Sequence, residues 1–203
     1  MPPSTEKAGY YIPRNENVAF SVELMNMIDE PRDAYMTMTY EYIEGMPSGF
    51  SNGKSLWFDI GGCGSSELPA KPNAHFDYSS PPWTVPSGVG GKVTFIAGHL
   101  HDGGTRLEVM RNGELACGSV AKYGCEKMEG ELEKRHGHDM PGMNMTGMHI
   151  SSMSSCKDVG KVKPRDEWTI TAHYNTALHE PMVNSDGSLE PIMGIALVYV
   201  AEE

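Results

Sequence analysis

The sequence predicts an all-β fold, an antiparallel jelly-roll sandwich, on two observations. Glycine and proline are frequent, with 23 Gly and 14 Pro in 203 residues, and they separate short segments in which apolar and polar residues alternate. In addition, apolar residues nowhere recur at helical spacing over three turns. The length suits one large sandwich or two small domains, and we expect a single domain over residues 1–203.

Two early strands are predicted by alternation of apolar with polar residues, which is the pattern of a half-buried strand. One covers residues 18–24 and the other covers residues 56–60. Their apolar positions are Val18, Phe20, Val22 and Leu24, then Leu56, Phe58 and Ile60.

The centre of the chain predicts a longer strand and then a hairpin. One parity of the strand that begins at Lys92 is apolar and ends in two histidines, so both histidines are expected on the packed face. Its members are Val93, Phe95, Ala97, His99 and His101. The hairpin turns at residues 111–114, with Leu107 and Val109 on its first strand and Leu115 and Cys117 on the returning strand.

Two late strands follow over residues 168–174 and 193–199. Each again carries apolar residues at every second position. These positions are Trp168, Ile170, Ala172 and Tyr174 in the first, and Met193, Ile195, Leu197 and Tyr199 in the second.

The charge and hydropathy of the chain argue against two classes of partner. Lys and Arg number 16 against 27 Asp and Glu, for a net charge of −11, whereas binding to a phosphate backbone requires clustered basic residues. No segment approaches the roughly 18 apolar residues of a membrane span. We therefore expect neither a nucleic-acid partner nor a membrane span.

Four cysteines indicate an oxidising compartment, because they are even in number and form no C-x-x-C pair. Of three possible connectivities we favour Cys117 with Cys156 and Cys63 with Cys125. We expect a secreted protein whose leader is absent from this sequence, since the first residues lack the apolar core of a signal peptide. The sequon at Asn144 agrees with secretion and predicts glycosylation there.

The most informative motif is Gly98-His99-Leu100-His101-Asp102-Gly103-Gly104. Residues two apart in a strand project from the same face, so the two imidazoles are able to share one metal ion. The alternative is a pair of hydrogen-bonded histidines at the rim of the sheet without a metal. The H-x-H pattern alone leaves both interpretations open.

A hard-metal site of the cupin type is not supported. The cupins also carry a histidine pair in a β-sandwich, but they add a glutamate shortly after it. Thr105 and Arg106 occupy that position here, and Glu108 comes too late and with the wrong parity. A soft ligand is therefore expected instead.

The segment from Pro191 to Val200 offers such a ligand, and it resembles the last strand in the C-terminal domain of the peptidylglycine alpha-hydroxylating monooxygenases. In that family an H-x-H hairpin and a methionine on a late strand bind one copper. The resemblance covers residues 93–199 and implies copper, as Cu(I) or Cu(II), bound by His99, His101 and Met193. It also implies an open position for water or dioxygen. The alternative for Met193 is an ordinary core residue.

A second resemblance covers most of the chain. It is carried by the H-x-H motif, Ala121-Lys122-Tyr123-Gly124, the segments 80–86 and 149–156, and Met193-Gly194. These are similar to the plant and fungal stress-up-regulated nodulin family. This similarity implies the fold and the metal, but not an activity.

The sequence departs from the monooxygenase pattern in two ways. The three histidines that bind a second copper in that family have no counterpart here, so a small external reductant such as ascorbate is needed in their place. The family's disulfide in the two late strands corresponds to Ala172 and Gly194.

Residues 126–153 are predicted to form a long mobile loop, because they are charged and then rich in His, Met and Gly without an apolar period. One interpretation is a second, weaker Cu(I) site, and the other is a surface loop prone to methionine oxidation. The residues concerned are His136, His138, Met140, Met143, Met145, Met148, His149 and Met153.

Two further histidines are interpreted by their position. His173 shares the polar parity of its strand and is predicted to lie at the surface. His179 precedes the methionine strand, where it is a candidate to support the metal ligands or to face a substrate.

These observations predict an extracellular copper-binding protein with one His-His-Met site and a role in copper handling or redox chemistry. The alternative is a mononuclear copper monooxygenase or peroxygenase that uses dioxygen or peroxide and an external reductant. A structural module without a working metal site is the third interpretation.

Overall fold

All regular secondary structure in the computed structural model is β, within the residues that it describes: 7–20, 22, 30–31, 33–62, 64–124, 149–184 and 186–203. The all-β prediction is confirmed, and this part of the chain has no helix long and apolar enough to cross a membrane. In chain order the strands are β1 (Ala8–Gly9), β2 (Ser51–Asp59), β3 (Glu67–Leu68), β4 (His75–Ser79), β5 (Trp83–Thr84), β6 (Gly91–Leu100), β7 (Gly104–Arg111), β8 (Glu114–Tyr123), β9 (Ile150–Met153), β10 (Ser155–Cys156), β11 (Lys161–Val162), β12 (Glu167–Asn175) and β13 (Ile192–Glu202).

These strands form two sheets. One has the order β1-β2-β13-β6-β10, with β3 beside β13 and β11 beside β6; the other has the order β4-β12-β7-β8-β9, with β5 beside β12. The two sheets enclose a shared cluster of buried side chains, as predicted for a sandwich. Its largest fully buried members are Trp168, Ile96, Leu107, Ile170 and Ile192. The jelly-roll connectivity and the single domain stay predictions.

The hairpin of β7 and β8 forms at the predicted turn. Asn112 and Gly113 both have positive φ, 52° and 80°, which is the conformation that a two-residue hairpin turn requires. On the returning strand Leu115 is 59% exposed, whereas Cys117 is buried. The register shifts beside it, with Val109 opposite Cys117 but Met110 opposite Leu115, so a bulge reverses the parity of the returning strand.

A disulfide between Cys117 of β8 and Cys156 of β10 joins the two sheets, with the two Cα atoms 5.8 Å apart. This pairing was predicted and is confirmed. The other predicted pair, Cys63 with Cys125, lies outside the described residues. The disulfide is consistent with an oxidising, extracellular environment.

The predicted strand at residues 18–24 is not present in its described part. Val18, Phe20 and Val22 lie in irregular chain and are 57%, 65% and 42% exposed. Alternating polarity makes a segment suitable for a strand, but a strand also needs a neighbour to pair its backbone groups. Leu24 lies outside the described residues.

The predicted mobile loop at residues 126–153 was too long at its C-terminal end. Ile150–Met153 form β9, which pairs with β8. Ile150 and Met153 pack against the core, and this packing stabilises β9 in its place beside β8. His136, His138, Met140, Met143, Asn144, Met145 and Met148 lie outside the described residues.

Candidate metal centre

The two histidines of the H-x-H motif stand at the end of β6, on the face of the sheet opposite the core. Leu100 between them is buried, whereas His99 is exposed. The prediction that they share the packed face was wrong because of a bulge at Thr94. Phe95 pairs with Tyr199 but Val93 pairs with Val200, and this extra residue moves all later odd-numbered side chains of β6 to the outer face.

Met193 lies on the neighbouring strand, in register with this pair. Gly194 is opposite Leu100 and Ile195 is opposite His99, and the His101 N–H donates to the Met193 carbonyl at 3.1 Å. A Cβ at Gly194 would point into the core toward Ala172, so the side chain of Met193 projects from the outer face. All three predicted ligands therefore share one face at one end of the β6–β13 pair.

The two imidazoles stand nearly perpendicular, with ring centroids 5.5 Å apart and an interplanar angle of 85°. His101 Nδ1 lies 2.8 Å from the carbonyl oxygen of Pro191. Because a carbonyl only accepts, Nδ1 carries a proton, so in the neutral ring the lone pair is on Nε2. Partial burial, and then the nearby His101, lower the pKa of His99. Burial and the neighbouring His101 thus both favour the neutral form of the His99 ring, which is the form that binds metals.

Asp102, directly after the histidine pair, anchors the turn between β6 and β7. Its carboxylate is buried; Oδ1 accepts a hydrogen bond from the Ile150 N–H at 2.8 Å, and Oδ2 contacts His149 Nδ1. These contacts join the turn to β9. His149, predicted as a loop ligand, is thus held beside the turn by a carboxylate.

Tyr123, at the end of β8, fixes the same turn from another side. Its hydroxyl oxygen accepts from the Gly103 N–H at 2.9 Å, and its O–H donates to the Gly104 carbonyl at 2.8 Å. Its ring stacks on His179 with centroids 3.6 Å apart. Burial and the charge of Asp102 raise the pKa of Tyr123, so the hydroxyl keeps its proton for this bond.

Gly103 is required at this point by its backbone and by its surroundings. Its φ of 91° disfavours any side chain, and a Cβ would lie 2.9 Å from the methyl of Thr176. Sequence reasoning gave no role to Asp102 or Tyr123, although both lie in the segments that carried the family resemblance. Their contacts join residues 19 to 48 positions apart, which no local pattern reveals.

His173 lies on the outer face of the other sheet, on the side predicted for it. It is more enclosed than a free surface residue, with 20% of its side chain exposed. Nδ1 lies 2.7 Å from Asp77 Oδ1, and Nε2 lies 3.3 Å from Glu108 Oε2. The structure keeps this histidine away from the H-x-H pair, since the two occupy different sheets.

A metal centre built solely from His, Cys, Asp and Glu is not found: in the described residues no group of three or more of these side chains is arranged to hold a metal ion. Met193 is of a different residue type, and its position rests on the register described above.

Two curated proteins are similar to this chain, and both are 36% identical to it over 196 residues. They are named Probable copper-dependent oxygenase M1, from Phoma sp. (strain ATCC 20986 / MF5453), and Probable copper-dependent oxygenase clz3, from Cochliobolus lunatus. The alignment covers 97% of this chain, 46% of the first protein and 58% of the second.

No family model matches the chain, and no solved structure shows significant similarity to it. The chain spans about half the length of the curated relatives it matches. Nearly all of this chain is therefore homologous to one part of each of these two proteins, which are named as copper-dependent oxygenases.

Proposed function

We propose that this chain is the copper-binding region of a copper-dependent oxygenase, with His99, His101 and Met193 as ligands of one copper ion. The observation that carries the proposal is the shared outer face of these residues, with His101 held at Nδ1 by the Pro191 carbonyl. A carbonyl that accepts a hydrogen bond from the ring nitrogen away from the metal is a regular feature of metal-binding histidines, because it fixes the ring and leaves Nε2 for the metal. The names of the two relatives support copper and oxygenase chemistry.

The donor set and the ring geometry both fit copper. A thioether favours Cu(I), while imidazole suits either oxidation state. An ion about 2 Å from a ring nitrogen lies roughly 3 Å from the ring centre, so two rings on one ion have centres no more than about 6 Å apart. The observed 5.5 Å satisfies this limit. The exposure of His99 leaves the site open to dioxygen and to a reductant.

Copper bound by these residues supplies the redox chemistry that oxygen-dependent oxidation requires. The contribution of the protein is to hold the ligands. The Pro191 carbonyl orients His101, and Asp102 and Tyr123 fix the turn that follows it. The lowered pKa of His99 keeps that ring neutral and available as a ligand at pH values where an ordinary histidine starts to be protonated.

We also propose that the protein works outside the cell. The disulfide between the two sheets is consistent with this location, since such bonds persist in oxidising compartments.

The test compares copper stoichiometry and Cu(I) affinity of the wild type with His99→Ala and Met193→Ala. We expect one tightly bound copper in the wild type and a loss of at least about tenfold in affinity in each variant. His75→Ala and Met38→Ala are matched controls, because both residues are exposed, His75 lies on β4 of the other sheet and Met38 lies outside the strands. Copper binding that is unchanged in His99→Ala and Met193→Ala would overturn the ligand assignment.

Activity is tested separately by ascorbate-driven oxygen uptake of the copper-loaded protein with and without organic compounds. Uptake that depends on His99 and Met193 supports an oxygenase. Tight copper binding without such uptake would instead support copper carriage or storage by the same site.

A further inference from the structure

A cleft of about 680 Å³ opens along residues 55–59 of β2, and none of the three candidate ligands is among the described residues that line it. Two tryptophans and two prolines contribute to its apolar walls together with Leu56 and Phe58: Trp57, Trp83, Pro81 and Pro82. The volume falls within the range of about 300–1,000 Å³ that is usual for small-molecule sites.

The two tryptophans form a fixed wall and an exposed wall. Trp83 packs edge-to-face on Phe58 with centroids 5.5 Å apart, and Phe58 in turn stacks on the buried Trp168. Trp83 is thereby anchored to the core. Trp57 is 63% exposed and lies on the outer face of β2, so its ring offers a large apolar surface to a ligand at little cost in protein packing.

The register of the strands sets the distance between this cleft and the candidate metal centre. Asp59, which lines the cleft, is opposite Ile195, and Ile195 is opposite His99. Two strand spacings separate Asp59 from His99, which is about 10 Å.

Another part of the cleft lining lies still closer to Met193, the third candidate ligand. Ser66 lines the cleft and directly precedes Glu67, which is the backbone partner of Met193. One strand spacing, about 5 Å, therefore separates the start of β3 from the Met193 backbone. Two residues of the cleft lining, Trp57 and Asp59, are opposite Leu197 and Ile195, so their side chains share the outer face of the sheet with Met193 and His99.

The charge of the residues that line the cleft indicates whether a neutral or an anionic ligand is favoured. Among the described residues that line the cleft, Asp59 is the one with a charged side chain. It is buried, and its Oδ1 accepts from the Gly61 N–H at 2.8 Å. With a net charge of −11 on the chain, an anionic ligand meets repulsion here and no counter-charge. Four serines in the lining supply hydroxyl groups for a few hydrogen bonds.

We propose that this cleft binds the organic substrate of the oxygenase, and that this substrate is a neutral, largely apolar molecule with a few hydroxyl or carbonyl groups. Its hydrocarbon face lies against Trp57 and the prolines, and one end reaches toward Met193 and His99. This inference rests on the proposed function, because it takes the copper site as the reacting centre.

The first test uses two probes of the same size, neutral 2-acetylnaphthalene and anionic 2-naphthoate, in calorimetric titrations of metal-free protein. We expect the neutral probe to bind at least about tenfold more tightly. Trp57→Ala should weaken it about tenfold, since one stacking surface is lost, and Ser66→Phe should block it by filling the cleft. Tyr35→Ala is the matched control, because that aromatic ring is 90% exposed and does not line the cleft.

The second test links the cleft to the metal. Cu(II) is paramagnetic, so it should broaden the proton NMR signals of bound 2-acetylnaphthalene, and reduction to Cu(I) should remove the broadening. Equal binding of the two probes, or binding that ignores both cleft variants, would overturn the inference. Copper held by His99 without broadening of the probe would overturn it too, while leaving the proposed function intact. Selective probe binding by a protein that holds no copper would overturn the proposed function and support the cleft as a neutral-ligand site.

Discussion

Gly194 connects the candidate metal centre to the core, because it follows Met193 and its Cα faces the opposite sheet. A Cβ at this position would lie 2.7 Å from the Cβ of Ala172 and 3.1 Å from two side-chain carbons of Ile60. Non-bonded carbons prefer about 3.5–4.0 Å, so Gly194→Ala forces β13 and β12 apart by about 1 Å or displaces Ile60. Overpacking of this size lowers the free energy of unfolding by about 1–3 kcal/mol.

The measurement is urea unfolding followed by circular dichroism, with the disulfide intact in every variant. Gly118→Ala is the matched control: it also lies in a strand, but a Cβ there meets no atom within 4 Å, so its stability should be unchanged or slightly raised. In the Ala172→Gly background the cost of Gly194→Ala should fall, because the closest obstructing atom is gone. A variant Gly194→Ala as stable as the wild type, or a cost unaffected by Ala172→Gly, would refute the packing argument.

Three further predictions concern the disulfide, the histidine pair and the turn. Replacing both Cys117 and Cys156 by Ser should cost about 4 kcal/mol in urea unfolding, since the bond closes a loop with a sequence separation of 39; a loss under about 1 kcal/mol would contradict this. The lowered pKa of His99 means that its protonation destabilises the fold as pH falls through the usual histidine range. In NMR titrations of metal-free protein, His101→Ala should move the His99 midpoint upward, and an unmoved midpoint would count against the coupling. Asp102→Ala should lower the free energy of unfolding by about 1–3 kcal/mol, because the partly buried Ile150 N–H loses its charged acceptor; unchanged stability would show that the contact is dispensable.

The strands that the sequence predicted correctly are those whose alternation coincides with a paired, buried face. Trp168, Ile170, Ala172 and Tyr174 are all buried on β12, and the Asn112-Gly113 turn formed where positive φ was expected. In these cases the local pattern and the tertiary environment agree, so one sequence is enough to predict the element.

The error in the facing direction of the histidine pair has one physical cause, which is the β-bulge. At Thr94 one extra residue reverses the parity of β6. A bulge depends on the register of the neighbouring strand, so alternation within a single segment does not reveal it. His99 and His101 still share one face of the sheet, because both residues follow the bulge.

The sequence explains only in part why the three predicted ligands lie near one another. The H-x-H spacing brings two imidazoles to one face, but the position of Met193 beside them depends on the register of β13 against β6. The family resemblance supplied that expectation. The anchoring of the turn by Asp102 and Tyr123 is a tertiary arrangement, and it became visible only in the structure.

The central claim is that one copper ion is bound by His99, His101 and Met193. X-ray absorption at the copper edge of the Cu(I)-loaded protein tests it most directly, because sulfur and imidazole nitrogen scatter distinguishably. The account predicts two imidazole ligands and one sulfur in the wild type, with the sulfur signal lost in Met193→Ala and one imidazole lost in His99→Ala. A site without sulfur, or a sulfur signal that persists in Met193→Ala through another of the 15 methionines, would contradict it.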